Sequence, residues 1–140
     1  MTYSPLPSPI SASWYRSCEV ASLHYESNAV IVDLVDDDGR KWRLRFTDIQ
    51  ACKVTAEECA VDIIDQLPQA AGIFVTEGSD WLKALGKGQI PFLDKSKHFV
   101  VPSYDEVVEV VAWNLEVELL DRVDELNDRR GTPADGVEVG

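Results

Sequence analysis

The residues able to carry chemistry are few. Two histidines, His24 and His98, and three cysteines, Cys18, Cys52 and Cys59, supply every imidazole and thiol in the chain. A zinc site draws its ligands from short spacings such as Cys-x-x-Cys or His-x-x-x-His, which converge on one ion. Neither spacing occurs. A Cys52/Cys59/His98 set is the remaining combination, and the simpler expectation for His98 is a strand imidazole with a local hydrogen bond. No metal and no cofactor are expected. The thiols are odd in number and irregularly spaced, which fits buried free cysteines better than a disulfide scaffold. Ser79 follows Gly78, but Trp81 stands where a Gly-x-Ser-x-Gly elbow needs its last glycine, so Ser79 reads as a helix cap and not a nucleophile. Asp36-Asp37-Asp38-Gly39 resembles the start of a calcium loop, yet Arg40, Lys41 and Trp42 follow where an EF-hand places further oxygen ligands. Gly86-Lys87-Gly88 is too short for a phosphate-binding loop and opens no helix. No catalytic residue is assigned, and the residues favour a binding protein over an enzyme.

The distribution of charge says more than any motif. The chain has 140 residues with 25 acids and 13 bases, a net charge of −12, which argues against nucleic acid or an anionic membrane as partner. From Val54 to Leu82 there are six acids (Glu57, Glu58, Asp62, Asp65, Glu77, Asp80) and no Lys or Arg. By contrast, Arg40, Lys41, Arg43 and Arg45 crowd one short segment. An uneven field of this kind steers a cationic partner toward its acidic part. The six carboxylates are therefore the expected partner-binding residues, with Trp81 as a possible aromatic anchor.

These residues must be positioned by one domain, since 140 residues with 45% hydrophobic content suit a single core. The expected organisation is a flexible, extended arm over 1–13, rich in Pro and Ser, a domain over 14–129, and a frayed tail over 130–140. Strands are expected at Cys18–Tyr25, Ala29–Val35 and Lys41–Phe46, the last two joined in a hairpin by the Asp-Gly turn. Lys41–Phe46 alternates most cleanly, with Trp42, Leu44 and Phe46 on one face and three cations on the other. A short strand is expected at Ile49–Val54. Thr55 to Glu58 fits a capping box that starts a helix running to Leu67. Further strands are expected at Gly72–Thr76 and His98–Val101, with a short helix from Ser79 to Leu85. Ser103 and Glu106 suggest a second capping box and a helix over Tyr104–Ala112. Residues 115–128 fit strand or helix, and a strand to Leu119 followed by a helix over 120–128 is favoured. The expected fold class is α+β: a mainly antiparallel sheet with two or three short helices.

No apolar run approaches the roughly 20 residues that cross a bilayer. The first residues lack the basic start and apolar centre of a secretory signal, so the cytoplasm is the expected compartment.

One stretch carries a family likeness. Glu77-Gly78-Ser79-Asp80-Trp81-Leu82, then Lys97-His98-Phe99-Val100-Val101, then Tyr104 to Ala112 resembles a pattern of small bacterial proteins. In that pattern Glu-x-Ser-x-Trp-Leu forms a strand-to-helix turn, a His-aromatic strand follows, and Asp-Asp-x-x-Glu-Val-x-Ala forms a helix. Several proteins with this pattern resemble immunity proteins encoded beside secreted toxins. The resemblance covers residues 73–119, departs from the pattern at Glu106 and Phe99, and supplies no catalytic residues. It implies a protein that neutralises a cognate toxin by occlusion. Two rival expectations stand beside it. One is a ligand-binding or enzymatic cleft between the sheet and residues 86–97, with His98, Tyr104 and Glu109 as its polar groups and Glu77 as a further candidate neighbour of His98. The other is a subunit of a homo-oligomer, joined through the Ile31/Val35 strand.

Overall fold

Two 17-residue strands, β4 (Arg40–Ala56) and β7 (Glu106–Arg122), form the spine of the molecule. They pair antiparallel from Arg40 opposite Arg122 to Ala56 opposite Glu106. The computed structural model describes residues 1–69, 71–86 and 94–122. Around the spine lie β1 (Thr2–Leu6), β2 (Glu19–Glu26), β3 (Ala29–Val35), β5 (Ile73–Glu77) and β6 (Lys97–Pro102). All seven strands belong to one antiparallel sheet in the order β1-β5-β6-β7-β4-β3-β2. Two short helices, α1 (Val61–Ile64) and α2 (Asp80–Leu85), and two 3₁₀ turns, Tyr15–Ser17 and Glu57–Cys59, complete the described elements, so the fold is mostly sheet.

The inner face of the sheet carries the main core: Val30, Val32, Leu44, Phe46, Ile73, Phe99, Val101, Val108, Val110 and Ala112. Phe46 and Phe99 lie on strands separated by β7, yet their ring centroids are 5.4 Å apart. Leu6 from one edge strand and Val20 and Leu23 from the other pack on the same cluster. The sheet therefore curls around this face, as the natural twist of strands allows. On the outer face a smaller core joins Tyr3, Phe74, Val100 and Val107 to Ala60, Ile63, Ile64 and Leu67 around α1.

The alternation of β7 changes phase part-way. Val108, Val110 and Ala112 face the inner core, and so do Leu115 and Val117. The partner strand shifts register between Ile49 and Ala51, and Asp48 has φ 55. A bulge of this kind lets two strands bend together without losing their ladder.

Several expectations change here. Ile49–Val54 is the second half of β4, not a separate strand. The Thr55 capping box is absent: the strand runs to Ala56, Glu57–Cys59 form a 3₁₀ turn without a side-chain cap, and the helix is only Val61–Ile64. Glu57 instead accepts hydrogen bonds from Tyr15 and Arg16. The Ser103/Glu106 box is also absent. Ser103 Oγ donates to the Glu106 carbonyl in a tight turn, and Val107 to Ala112 are strand. β-Branched residues buried on both faces favour this outcome over a helix. Strand continues through Arg122, while residues 123–128, the 87–93 segment and the 130–140 tail lie outside the described residues. Within the stretch expected as a flexible arm, Thr2–Leu6 form a strand that pairs with β5 at one edge of the sheet, with Tyr3 buried in the smaller core. The Ile31/Val35 strand is no edge: β3 lies between β2 and β4, and Ile31 is buried.

The basic segment is matched within the sheet. Arg43 binds Asp33 through two bonds of 2.9 and 3.0 Å, and stands opposite Glu118. Arg45 stands opposite Glu116. Cross-strand pairs of opposite sign stabilise a sheet modestly, and here they also offset its cations.

Candidate functional site

Strand register builds a buried polar cluster on the outer face. Thr76 on β5 opposes His98 on β6, which opposes Val111 on β7. One step along the same face of β7 lies Glu109, two residues from Val111. After β5, Gly78 turns the chain with φ 71 and Ser79 caps α2 by accepting from the Leu82 amide at 3.1 Å. Ser79 Oγ lies 2.7 Å from His98 Nδ1, and His98 Nε2 lies 2.8 Å from Glu109 Oε1. The three residues are 5%, 3% and 2% exposed. The imidazole thus bridges the serine hydroxyl, through Nδ1, and the Glu109 carboxylate, which accepts the Nε2–H.

The surroundings close this cluster further. The Trp81 ring meets His98 edge-on at 5.1 Å, and the Lys53 ammonium sits 4.2 Å over the Trp81 centroid. Lys53 Nζ is also 3.9 Å from Glu109 Oε2, an oxygen without a hydrogen bond. Burial, with the Glu109 charge as a smaller cause, raises the Tyr3 hydroxyl above the ordinary tyrosine range.

Chemically, a hydroxyl, an imidazole and a carboxylate in line are the parts of a proton relay. Several features turn this one toward structure. Ser79 is buried, its φ −68 and ψ 119 are relaxed extended values, and its oxygen is already engaged as a helix cap. Neither of the two larger cavities described in the molecule is lined by Ser79, His98 or Glu109. The cluster ties α2 to the sheet through charge-assisted hydrogen bonds.

Of the cleft residues expected from sequence, His98 and Glu109 meet, while Tyr104 does not join them. It is 46% exposed in the turn between β6 and β7, with its amide bonded to the Cys18 carbonyl. Glu77 does not join them either: it is exposed and its neighbour Thr76 is the residue that opposes His98. Ser79 joins the cluster through a second bond, to His98, that the cap reading did not foresee. The three thiols are free, with Cys18 buried, Cys52 half-buried and Cys59 exposed. Burial, aided by Asp37 and Asp36, pushes the Cys18 thiol up to about 11, so it stays protonated at neutral pH. Among the described residues no three His, Cys, Asp or Glu side chains gather as metal ligands, and Cys52, Cys59 and His98 form no such group.

No protein family, characterised protein or solved structure matches this chain.

The acidic residues divide by role. Glu57 is taken by Arg16 at 2.7 Å and by Tyr15, whose hydrogen bonds hold its carboxyl below the usual range. Glu58, Asp62, Asp65, Glu77 and Asp80 are exposed. Trp81 is half-buried between His98 and Lys53, which leaves only part of its ring to a partner. The helix that the family pattern puts at Tyr104–Ala112 is a turn and a strand, whereas its strand-to-helix turn coincides with β5, Ser79 and α2.

Proposed function

We propose that this chain is a non-enzymatic binding protein that presents an acidic, helix-bearing side to a basic protein. The observation that carries this reading is an asymmetry of pairing. Of the Arg40–Arg45 cations, Arg43 is held by Asp33, and Arg43 and Arg45 stand opposite Glu118 and Glu116 across the ladder, so each of these two has a carboxylate beside it. Glu58, Asp62, Asp65, Glu77 and Asp80 are exposed and form no ion pair among the described residues. The α1 and α2 segments that carry most of them flank one face, because α1 packs on Phe74, Val100 and Val107, and α2 is held by His98 beside them. Excess negative charge thus accumulates on one side and accelerates encounter with a cationic surface. The sequence resemblance, although its helix at Tyr104–Ala112 is a turn and a strand here, makes a secreted toxin the favoured partner, blocked by occlusion in the cytoplasm.

Affinity capture from the native host at low and high salt tests the idea. The expected result is a basic protein retained at low salt, released at high salt, and lost from a Glu58→Gln/Asp62→Asn/Asp65→Asn variant. Capture that ignores both salt and these substitutions overturns the acidic-face reading.

A further inference from the structure

At the bulge, the ladder of β4 and β7 opens a cavity of about 320 Å³ beneath the end of α2. Its walls are apolar: Ile49, Leu82, Leu85, Val111 and Trp113. Asp48 stands at its edge with Asn28, Gln50 and Ser96. The volume equals roughly ten waters of liquid, which suits a small molecule and excludes a peptide helix.

Asp48 is the one carboxylate in this lining, and it shares positive φ with Asn28, at 61. It is a non-glycine residue at φ 55, beside the register shift of β4. Backbone held in this region costs free energy, and bulges commonly redirect a side chain toward a site. Its carboxylate contacts only two neutral amides, Asn28 Nδ2 at 3.4 Å and Asn114 Nδ2 at 3.5 Å. Both are long for hydrogen bonds, and Asp48 has no cation within ion-pair distance among the described residues. It is half-buried, so its charge is only partly screened by water. The Trp113 ring already has Lys95 Nζ 4.8 Å from its centroid, so a cation is favourable at that ring. Lys95 already holds the Trp113 ring, and Asp48 is the carboxylate at the cavity edge.

We infer that this cavity binds a small primary amine or guanidine on an apolar body, with Asp48 as the counter-charge and the Leu82, Leu85 and Val111 wall as the apolar seat. The carboxylate supplies the charge-assisted bond, the wall supplies hydrophobic area, and Asn28 and Gln50 offer further polar contacts at the edge. The cavity shares α2 with the acidic docking side but uses other residues, Leu82 and Leu85 in place of Asp80 and Trp81, and its ligand does not depend on that docking.

Three probes of nearly one shape test the inference on the full chain: phenethylamine, 2-phenylethanol and phenylacetate, carrying positive, no and negative charge. Binding is read from NMR shifts of the Leu82, Leu85 and Val111 methyl groups. Phenethylamine is expected to shift these methyls and to bind about tenfold more tightly than 2-phenylethanol, with phenylacetate weakest. Asp48→Asn keeps the side-chain shape, and Asn tolerates positive φ. It should erase the preference for the amine while leaving alcohol binding intact, whereas Glu58→Gln, remote from the cavity, should leave the preference unchanged. An amine that moves none of these methyls overturns the proposal, as does a preference that survives Asp48→Asn or disappears equally in Glu58→Gln. Should Asp48→Asn not fold, the amine-to-alcohol ratio of the unaltered chain decides, and a ratio near one overturns the proposal.

Discussion

Asp36 shows how one side chain can fix a turn. Its carboxylate accepts from the amides of Ser11, Asp38 and Arg40 and from the Trp42 indole at 2.8 Å. The residue is buried, and burial alone would raise its carboxyl. The Trp42, Arg40, Ser11 and Asp38 hydrogen bonds together outweigh burial and hold it below the ordinary aspartate range. Asp33 is likewise lowered, first by its bond to Arg43. A carboxyl lowered by folding contributes stability that is fully present above its unfolded value near 4 and is lost as pH falls through the folded value. The contribution of such a carboxyl, read for Asp36 as the urea stability of the parent minus that of an Asp36 variant, should therefore be level from neutral pH to about pH 5 and shrink progressively toward pH 3. Replacing Asp36 by Ala should cost about 2–4 kcal/mol, because four donors lose their acceptor and the indole is left buried. It should also flatten the acid limb. A variant as stable as the parent, with an unchanged acid limb, would show that the turn holds without this carboxylate. At sequence level Asp36 was legible as part of a turn. Its four donors were not, since Ser11 comes from a segment whose approach nothing local announces.

At the scale of elements, α2 is too short to persist by itself, since isolated helices of a dozen residues are already marginal in water. The Ser79–His98–Glu109 cluster and the packing of Trp81 compensate. Ser79→Ala removes a cap and a hydroxyl partner of a buried imidazole together, for a cost of about 1–3 kcal/mol. Hydrogen exchange should localise that loss, with faster exchange at Leu82 to Leu85 and little change in β3 and β4. Acceleration spread equally over the sheet would mean that the cluster supports the whole fold. The helix itself was readable from Ser79 and Gly86, because its stop signals are local. β7 was not. Val107, Val108 and Val111 satisfy a helical spacing, and burial on both faces removes the alternation that identified Lys41–Phe46. The phase change between Ala112 and Leu115 then hides the continuity of one 17-residue strand. Branching at the β carbon was the signal that could have decided it. The same limit applies to the site. His98 with Glu109 could be conjectured from a shared segment, but the two lie 11 positions apart and meet only through strand register. The bulge at Asp48 showed in the sequence only as the gap between the strands expected at Lys41–Phe46 and Ile49–Val54.

For the molecule as a whole, two kinds of electrostatics compete. The net charge of −12 makes folding self-repulsive, because compaction brings like charges together. The fold answers with pairs such as Arg43–Asp33 within the sheet and Arg16–Glu57 between two 3₁₀ turns, yet both cations are partly exposed and such pairs individually contribute little. Salt distinguishes the two contributions, since it screens exposed charges within roughly 10 Å at 0.1 M and leaves buried groups nearly untouched. If repulsion dominates, raising NaCl from about 20 to 500 mM should raise Tm by a few degrees, most of it in the lower part of that range where the Debye length falls fastest. If the paired ladder dominates, Tm should fall instead. The exposed acids outnumber the paired ones among the described residues, so the rise is the expected direction. Neutralising Glu58, Asp62 and Asp65 should reproduce part of that rise at low salt, because it removes the same repulsion. This makes the acidic side costly to the isolated fold, and a variant that gains stability while losing a basic partner would show what those charges are retained to do.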